Sequence, residues 1–180
     1  MAIESKRELF DRELRKLYHA EIEILDLHSD LADAAAREEV QAIFGGHEGD
    51  TVDQIDRIEA IFGGHEGDTV DQIDRIEAIF ATLDMEPREQ GSPIMEGLLA
   101  EKDQFVNEVA DDDLRDLDVI NIGIINERIE ITLLDRLILL AAELELPEST
   151  INKLQANRSE AQTALTQMQQ FLENRHVIRL

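Results

Sequence analysis

Phe10, Leu14, Leu17, Glu21, Ile24, His28, Leu31 and Ala35 step through the sequence at alternating intervals of four and three, the spacing of one buried stripe on a helix. A carboxylate, Glu21, therefore faces a core. The pattern recurs downstream, where Glu127 stands seven residues from Ile120 and from Leu134, and Glu130 seven from Gly123 and from Leu137. Burying an uncompensated carboxylate is costly, so each of these groups demands a metal ion, a cationic side chain or a proton.

Metal is the chemically richest of the three. A di-metal site in a four-helix bundle takes a Glu from each of two helices and a Glu-x-x-His from each of the other two, because anionic oxygens offset the charge of iron or manganese while imidazole fixes geometry. Glu21 fills one such position, and Glu127 with Glu130, three apart on one face, fill two more. His47, or its duplicate His65, lies on the stripe shared by Val40, Phe44 and Thr51, and Glu96 is a further candidate. The cofactor implied is iron or manganese, with peroxide or oxygen as the reactant.

A competing reading uses the same carboxylates without metal. Phe44 and Phe62 stand three residues before the two histidines, where the motif wants Glu, and the last helix offers Arg158 on its seam. A guanidinium there can pair with Glu21 or Glu127 and neutralise the pocket, leaving a non-catalytic acidic helical dimer whose shell holds water and solvent cations. His28 reads as a hydrogen-bonded core or subunit-contact histidine, and Asp53 and Asp56 as solvated face.

Other chemistries are excluded or unsupported. Cysteine is absent, which removes disulfides, thiolate zinc sites and thiol catalysis. No nucleophile with a base at recognisable spacing occurs, no Gly-rich phosphate loop and no HExxH. The segment GGHEGD is too short for a calcium loop. With 41 acidic against 17 basic residues the net charge is -24, which repels a phosphate backbone instead of releasing its counterions, so nucleic acid is not an expected partner. No apolar run approaches the roughly 18 residues of a membrane span, and the chain reads as soluble and cytoplasmic. The same charge strains a folded state unless salt screens it; with 4 lysines against 13 arginines, a salt-rich cytosol is expected.

The elements that position these residues are helices. Only 3 Pro and 9 Gly occur in 180 residues, and aromatics are 4%, the usage of one all-α domain spanning residues 1–180. A first helix is expected from about Glu4 to Ala36 and a second from about Glu38 to Leu83. A shorter third begins at Ser92 and Pro93 and ends near Ala110, and a long fourth, capped by Asp111 to Asp113, reaches about Glu145. A fifth restarts after Pro147 and ends near Asn174, its stripe reading Ile151, Leu154, Arg158, Ala161, Leu165, Met168 and Leu172. Two hairpins joined by one long crossover that carries a short helix give a ferritin-like four-helix bundle.

The second helix contains a tandem duplication. Residues 42–59 and 60–77 are identical, 18 residues each. At 3.6 residues per turn this is five whole turns, about 27 Å of helix that does not rotate the downstream face. Val52, Ile55, Ile58 and Ile61 are thus matched by Val70, Ile73, Ile76 and Ile79, and only one set is needed for a core strip. Either the helix overhangs the bundle or one copy loops out through its three glycines, which within five residues cost a helix roughly 2–3 kcal/mol. The looped-out copy is favoured.

The opening LFDRELRKLYHAEIEIL, the stretch F-x-x-H-x-x-x-T-x-x-Q-I-x-R-I-E around His47 or His65, MEGLLAE at Met95 to Glu101, and ERIEI at Glu127 to Ile131 together resemble the YciE/YciF-like ferritin-like proteins, from about Leu9 to Leu172. The resemblance implies a rubrerythrin-like bundle, a homodimer, association with stress responses and a di-metal carboxylate site built from Glu21, His47 (or His65), Glu96, Glu127 and Glu130. The chain departs from the family pattern at Gly45 and Gly46, where acids are usual, and at Asn157 and Arg158, where the last helix normally offers Glu.

Overall fold

A computed structural model describes residues 3–44 and 65–177, the side chains of 39, 65–68 and 175–177 excepted. The described elements are α1 (Lys6–Ala34), α2 (Glu38–Phe44), α3 (His65–Thr82), α4 (Pro93–Glu108), α5 (Asp112–Glu143) and α6 (Glu148–Val177). Their starts follow from local chemistry. Ser5 and Glu8 form a reciprocal capping box at α1, and the Asp111 side chain accepts from the backbone N–H of Leu114 at α5, each satisfying donors that the first helical turn leaves open. α5 ends where Glu145 turns left-handed at φ 52° and the Leu146 N–H reaches back to the Ala141 carbonyl at 3.0 Å, a C-terminal closure that glycine usually provides.

Two apolar clusters fix the directions of α1, α5 and α6 and of the chain from α2 to α3. One gathers Phe10, Leu14, Leu17, Ile76, Ile79, Phe80, Leu134, Leu137 and Leu154. The other gathers Ile24, Leu27, Leu31, Val40, Ile43, Phe44, Val119, Ile120, Leu165 and Met168. α1 and α6 run from the first cluster to the second; α5 runs from the second to the first, as does the chain from α2 to α3. Because α3 and α5 are parallel, the chain between them must return the length of the bundle, and it does so carrying α4, which packs on α5 and α1. The bundle is thus all-α and ferritin-like, with one crossover bearing an additional short helix.

The second long helix of the expected scheme is represented by α2 and α3, which pack against one another as well as against α1. Which course the duplicated residues take, and the placement of His47, fall on residues 45–64 and lie outside the described residues. Within α3 the expected strip is corrected. Ile76 and Ile79 are buried, but Val70 is exposed and Ile73 only half-buried, while Thr69 and Gln72 occupy the buried positions. The face toward the bundle is turned so that α3 brings polar side chains, not valine and isoleucine, to the level of the carboxylates.

Gly123 on α5 marks the tightest crossing. A Cβ there would stand 2.6 Å from Met168 Sδ and 2.8 Å from Phe44 Cζ, so α5 approaches α2 and α6 at a distance only glycine allows.

Candidate functional site

Between the two apolar clusters lies a polar band to which four elements contribute. α1 supplies Glu21, α5 supplies Glu127 and Glu130, α6 supplies Asn157 and Glu160, and α3 supplies Thr69, Gln72 and Arg75. Glu21 is 0% exposed, Glu130 2% and Glu127 3%. Each occupies the seam position where its neighbours one or two turns away are leucine or isoleucine, so packing of the apolar stripe carries the carboxylates inward with it.

The electrostatics are those of crowded acids in low dielectric. The Glu21 carboxyl is held well above the ordinary carboxylate range, first by burial, then by Glu130, Glu127 and Glu160, with Arg75 opposing. Burial, and after it Glu160, pushes Glu130 up to about 8. Without a cation, the band therefore carries protons at neutral pH.

Among the described residues the cation that borders it is Arg75. Its Nη1 and Nη2 donate to Glu160 Oε2 and Oε1 at 2.6 and 2.7 Å, and Nη1 also donates to Asn157 Oδ1 at 3.0 Å. The Asn157 amide in turn donates to the Gln72 backbone carbonyl at 3.2 Å, so α3 and α6 are tied by one continuous polar chain. The bidentate geometry suits guanidinium against carboxylate.

The expectation that Arg158 neutralises the core is overturned. Arg158 lies half-exposed on the flank, its side chain 37% exposed, and pairs with Asp135 of α5, while Asn157, 1% exposed, takes the inward position. From Leu154 a step of three and a step of four both stay near one helix face; the step of three leads to Asn157 and then to Ala161, and leaves Arg158 on the flank with its head in water.

Glu21, Glu127 and Glu130 are brought together as the spacing requires. Glu96 is not; it is exposed on α4, near Gly91. His65 is the first residue of α3, four before Thr69, and its side chain lies outside the described residues. His28 is a buried core histidine with Nδ1 3.4 Å from Thr69 Oγ1. Its ring stands 5.8 Å from that of Phe44. Sequence reasoning gave no site role to Arg75, Glu160, Gln72 and Thr69, and named Asn157 only as a departure from the family pattern, although Thr69, Gln72 and Arg75 are the T, Q and R of the family-like stretch around His65 and Asn157 and Glu160 repeat the spacing of Glu127 and Glu130.

The band borders a small pocket of about 10 Å³, lined by His28, Thr69, Gln72, Glu127, Glu130 and Glu160 together with Ala161 and Ala164, about the room one water needs. Both oxygens of Glu21 and Oε1 of Glu130 are buried without a hydrogen-bond partner. Among the described residues no three His, Asp or Glu side chains close around a common point tightly enough to hold a metal ion. The donor types, hard carboxyl oxygens on two facing helices beside an imidazole, are those a divalent metal takes, but the described side chains are not gathered into a ligand set.

With this geometry in view, the model of the DUF892 family, described as a domain of unknown function, matches residues 5–68 and 60–179. The chain belongs to the DUF892 family. The two matched stretches overlap inside the second copy of the duplicated segment. Among solved structures, YcfI from Rhodopseudomonas palustris, named as a candidate structural protein, is 23% identical with a TM-score of 0.77, over 93% of this chain and 94% of that one. The E. coli stress protein YciF is 20% identical with a TM-score of 0.77, over 96% of this chain and 97% of that one. No curated protein matches the chain. At such identities the likeness to YcfI and YciF establishes the fold of this DUF892 member. Among the described residues no helix is long and apolar enough to cross a membrane.

Proposed function

We propose that this protein is a stress-associated, ferritin-like metal-binding protein whose bundle centre holds iron or manganese through Glu21, Glu127 and Glu130. The observation that carries the reading is Glu21: both of its carboxylate oxygens are buried and unpartnered, with Glu130, Glu127 and Glu160 as its electrostatic neighbours. A group so placed is costly unless a proton or a cation meets it. The stress association rests on the likeness to E. coli YciF.

Each residue has a part that does not depend on the metal's own chemistry. Glu21 from α1 faces Glu127 and Glu130 from α5 and supplies oxygen donors from the opposite wall. Glu160 is engaged by Arg75, which holds it at the edge of the band. The apolar clusters above and below exclude water and strengthen every charge interaction between them. When bound, iron or manganese supplies the redox chemistry toward oxygen or peroxide that carboxylates alone lack.

Thermal melting of chelator-treated protein with Mn²⁺ or Fe²⁺ added anaerobically tests this. Occupancy at about 100 times the dissociation constant stabilises a native state by about 2.7 kcal/mol, or roughly 5–10 °C for a chain of this size. A melting temperature indifferent to both ions at millimolar concentration overturns the reading.

A further inference from the structure

We propose that the place of α3 on the bundle is open to either copy of the duplicated segment, so that this helix exchanges register by one whole repeat; the inference does not depend on the metal reading above. Residues 47–62 and 65–80 have the same sequence, so the side chains by which residues 65–80 hold the bundle are present twice. Arg75 grips Glu160 and Asn157 of α6, and its counterpart is Arg57. Glu77 accepts from the Tyr18 hydroxyl at 2.7 Å and the Phe80 ring stands edge-on to that of Tyr18 at 5.6 Å; their counterparts are Glu59 and Phe62. Ile76 and Ile79, buried in the apolar cluster, are matched by Ile58 and Ile61.

The exchange leaves the polar band unchanged in composition, because Thr51 and Gln54 replace Thr69 and Gln72. It also leaves 18 surplus residues in either register, before the docked copy or after it, and closing loops of equal length costs equal entropy. The family model matches the chain twice, over residues 5–68 and over residues 60–179: the first match runs from α1 through the whole of the first copy, and the second takes up at the second copy. Both copies therefore read as the same element of the family. What separates the two registers is the chain that follows. Leu83 packs on the apolar cluster, and Met85 meets Arg7 at 3.5 Å and donates its N–H to the Phe80 carbonyl at 2.9 Å. After the first copy the corresponding positions are His65 and Gly67, which supply neither apolar side chain. The second copy is favoured by the burial of those two residues, and the first takes its place only when a lesion in the second outweighs them.

Thermal melting and amide hydrogen exchange of four full-length proteins test this: the wild type, Ile58→Asp/Ile61→Asp, Ile76→Asp/Ile79→Asp, and the variant carrying all four substitutions. Two aspartates on the buried strip prevent a copy from docking, and they also mark its peptides by mass. The first pair should melt as the wild type does. The second pair should still melt cooperatively, roughly 5–10 °C lower for the loss of Leu83 and Met85, with slow exchange moved from residues 69–80 to residues 51–62. The fourfold variant should show slow exchange in neither copy and melt lowest. A second pair that melts no better than the fourfold variant, or that folds while residues 51–62 exchange as fast as an unstructured peptide, overturns the exchange. Metal enters none of these readings, so the outcome leaves the metal centre to its own test.

Discussion

Arg75 grips Glu160 with both terminal nitrogens of its guanidinium, at 2.6 and 2.7 Å, and this pair, not Arg158, is the cationic border of the acidic band. Both side chains are about a quarter exposed, 25% and 29%, so the pair is neither a solvated surface contact nor a sealed one. Replacing Arg75 by Met leaves Glu160 and Asn157 without their donor and removes the cation that, among the described residues, opposes the electrostatic crowding of Glu21. The expected loss is about 1–3 kcal/mol, seen as a lower urea midpoint. Arg158→Met, by contrast, should change the midpoint by less than about 0.5 kcal/mol equivalent; equal effects of the two would contradict the geometry.

Gly123→Ala is a second test of packing. The new methyl would meet the Phe44 ring at 2.8 and 2.9 Å and Met168 Sδ at 2.6 Å. The thioether can swing away, but the ring, buried against α5, cannot without moving α2. Overpacking of about 1–3 kcal/mol should exceed the roughly 1 kcal/mol that alanine gains in helix propensity, so the variant melts lower. Trimming the neighbours in Gly123→Ala/Phe44→Leu should recover part of the loss.

For the metal-free protein the acids dictate a pH dependence. Glu130 titrates near 4.5 when unfolded and is pushed up to about 8 when folded, and Glu21 moves in the same direction. Between those values the native state binds more protons than the unfolded chain, so stability must fall as pH rises. Chelator-treated protein should therefore be most stable near pH 4.5 with respect to these groups and lose stability steadily toward pH 8. Glu130→Gln should flatten that slope, which guanidinium titrations at several pH values would reveal.

Salt addresses the charge of -24. Screening at roughly 1 M shortens the Debye length to about 3 Å and relieves repulsion among exposed acids. Helicity followed by far-UV circular dichroism, together with the melting temperature, should rise from dilute buffer to molar salt. Full helicity and an unchanged melting temperature in dilute buffer would remove the case for a salt-rich habitat.

The carboxylate seam was legible because α1 and α5 are uninterrupted apolar stripes in which a glutamate has no other face to occupy. The crossover was legible because Pro87 and Pro93 interrupt the chain between the second long helix and the fourth. Two things were not. On α6 the intervals to Asn157 and Arg158 differ by one residue, and only the position of α5 with its Asp135 decides which side chain turns out. On α3 the valine and isoleucine pattern suggested a face that Thr69 and Gln72 actually hold, since pattern alone does not register polar residues recruited to a polar band. The partner of Glu160 is 85 residues away in sequence and had no local signature.

The most direct test of the central claim is the metal content of wild-type protein and of Glu21→Gln, both purified without chelator, measured by mass spectrometry alongside their melting temperatures. A metal centre predicts near-stoichiometric iron or manganese in the wild type, depleted in Glu21→Gln together with a lower melting temperature. A metal-free wild type whose Glu21→Gln variant is more stable would instead show Glu21 to be a buried acid satisfied by a proton, and would contradict the account.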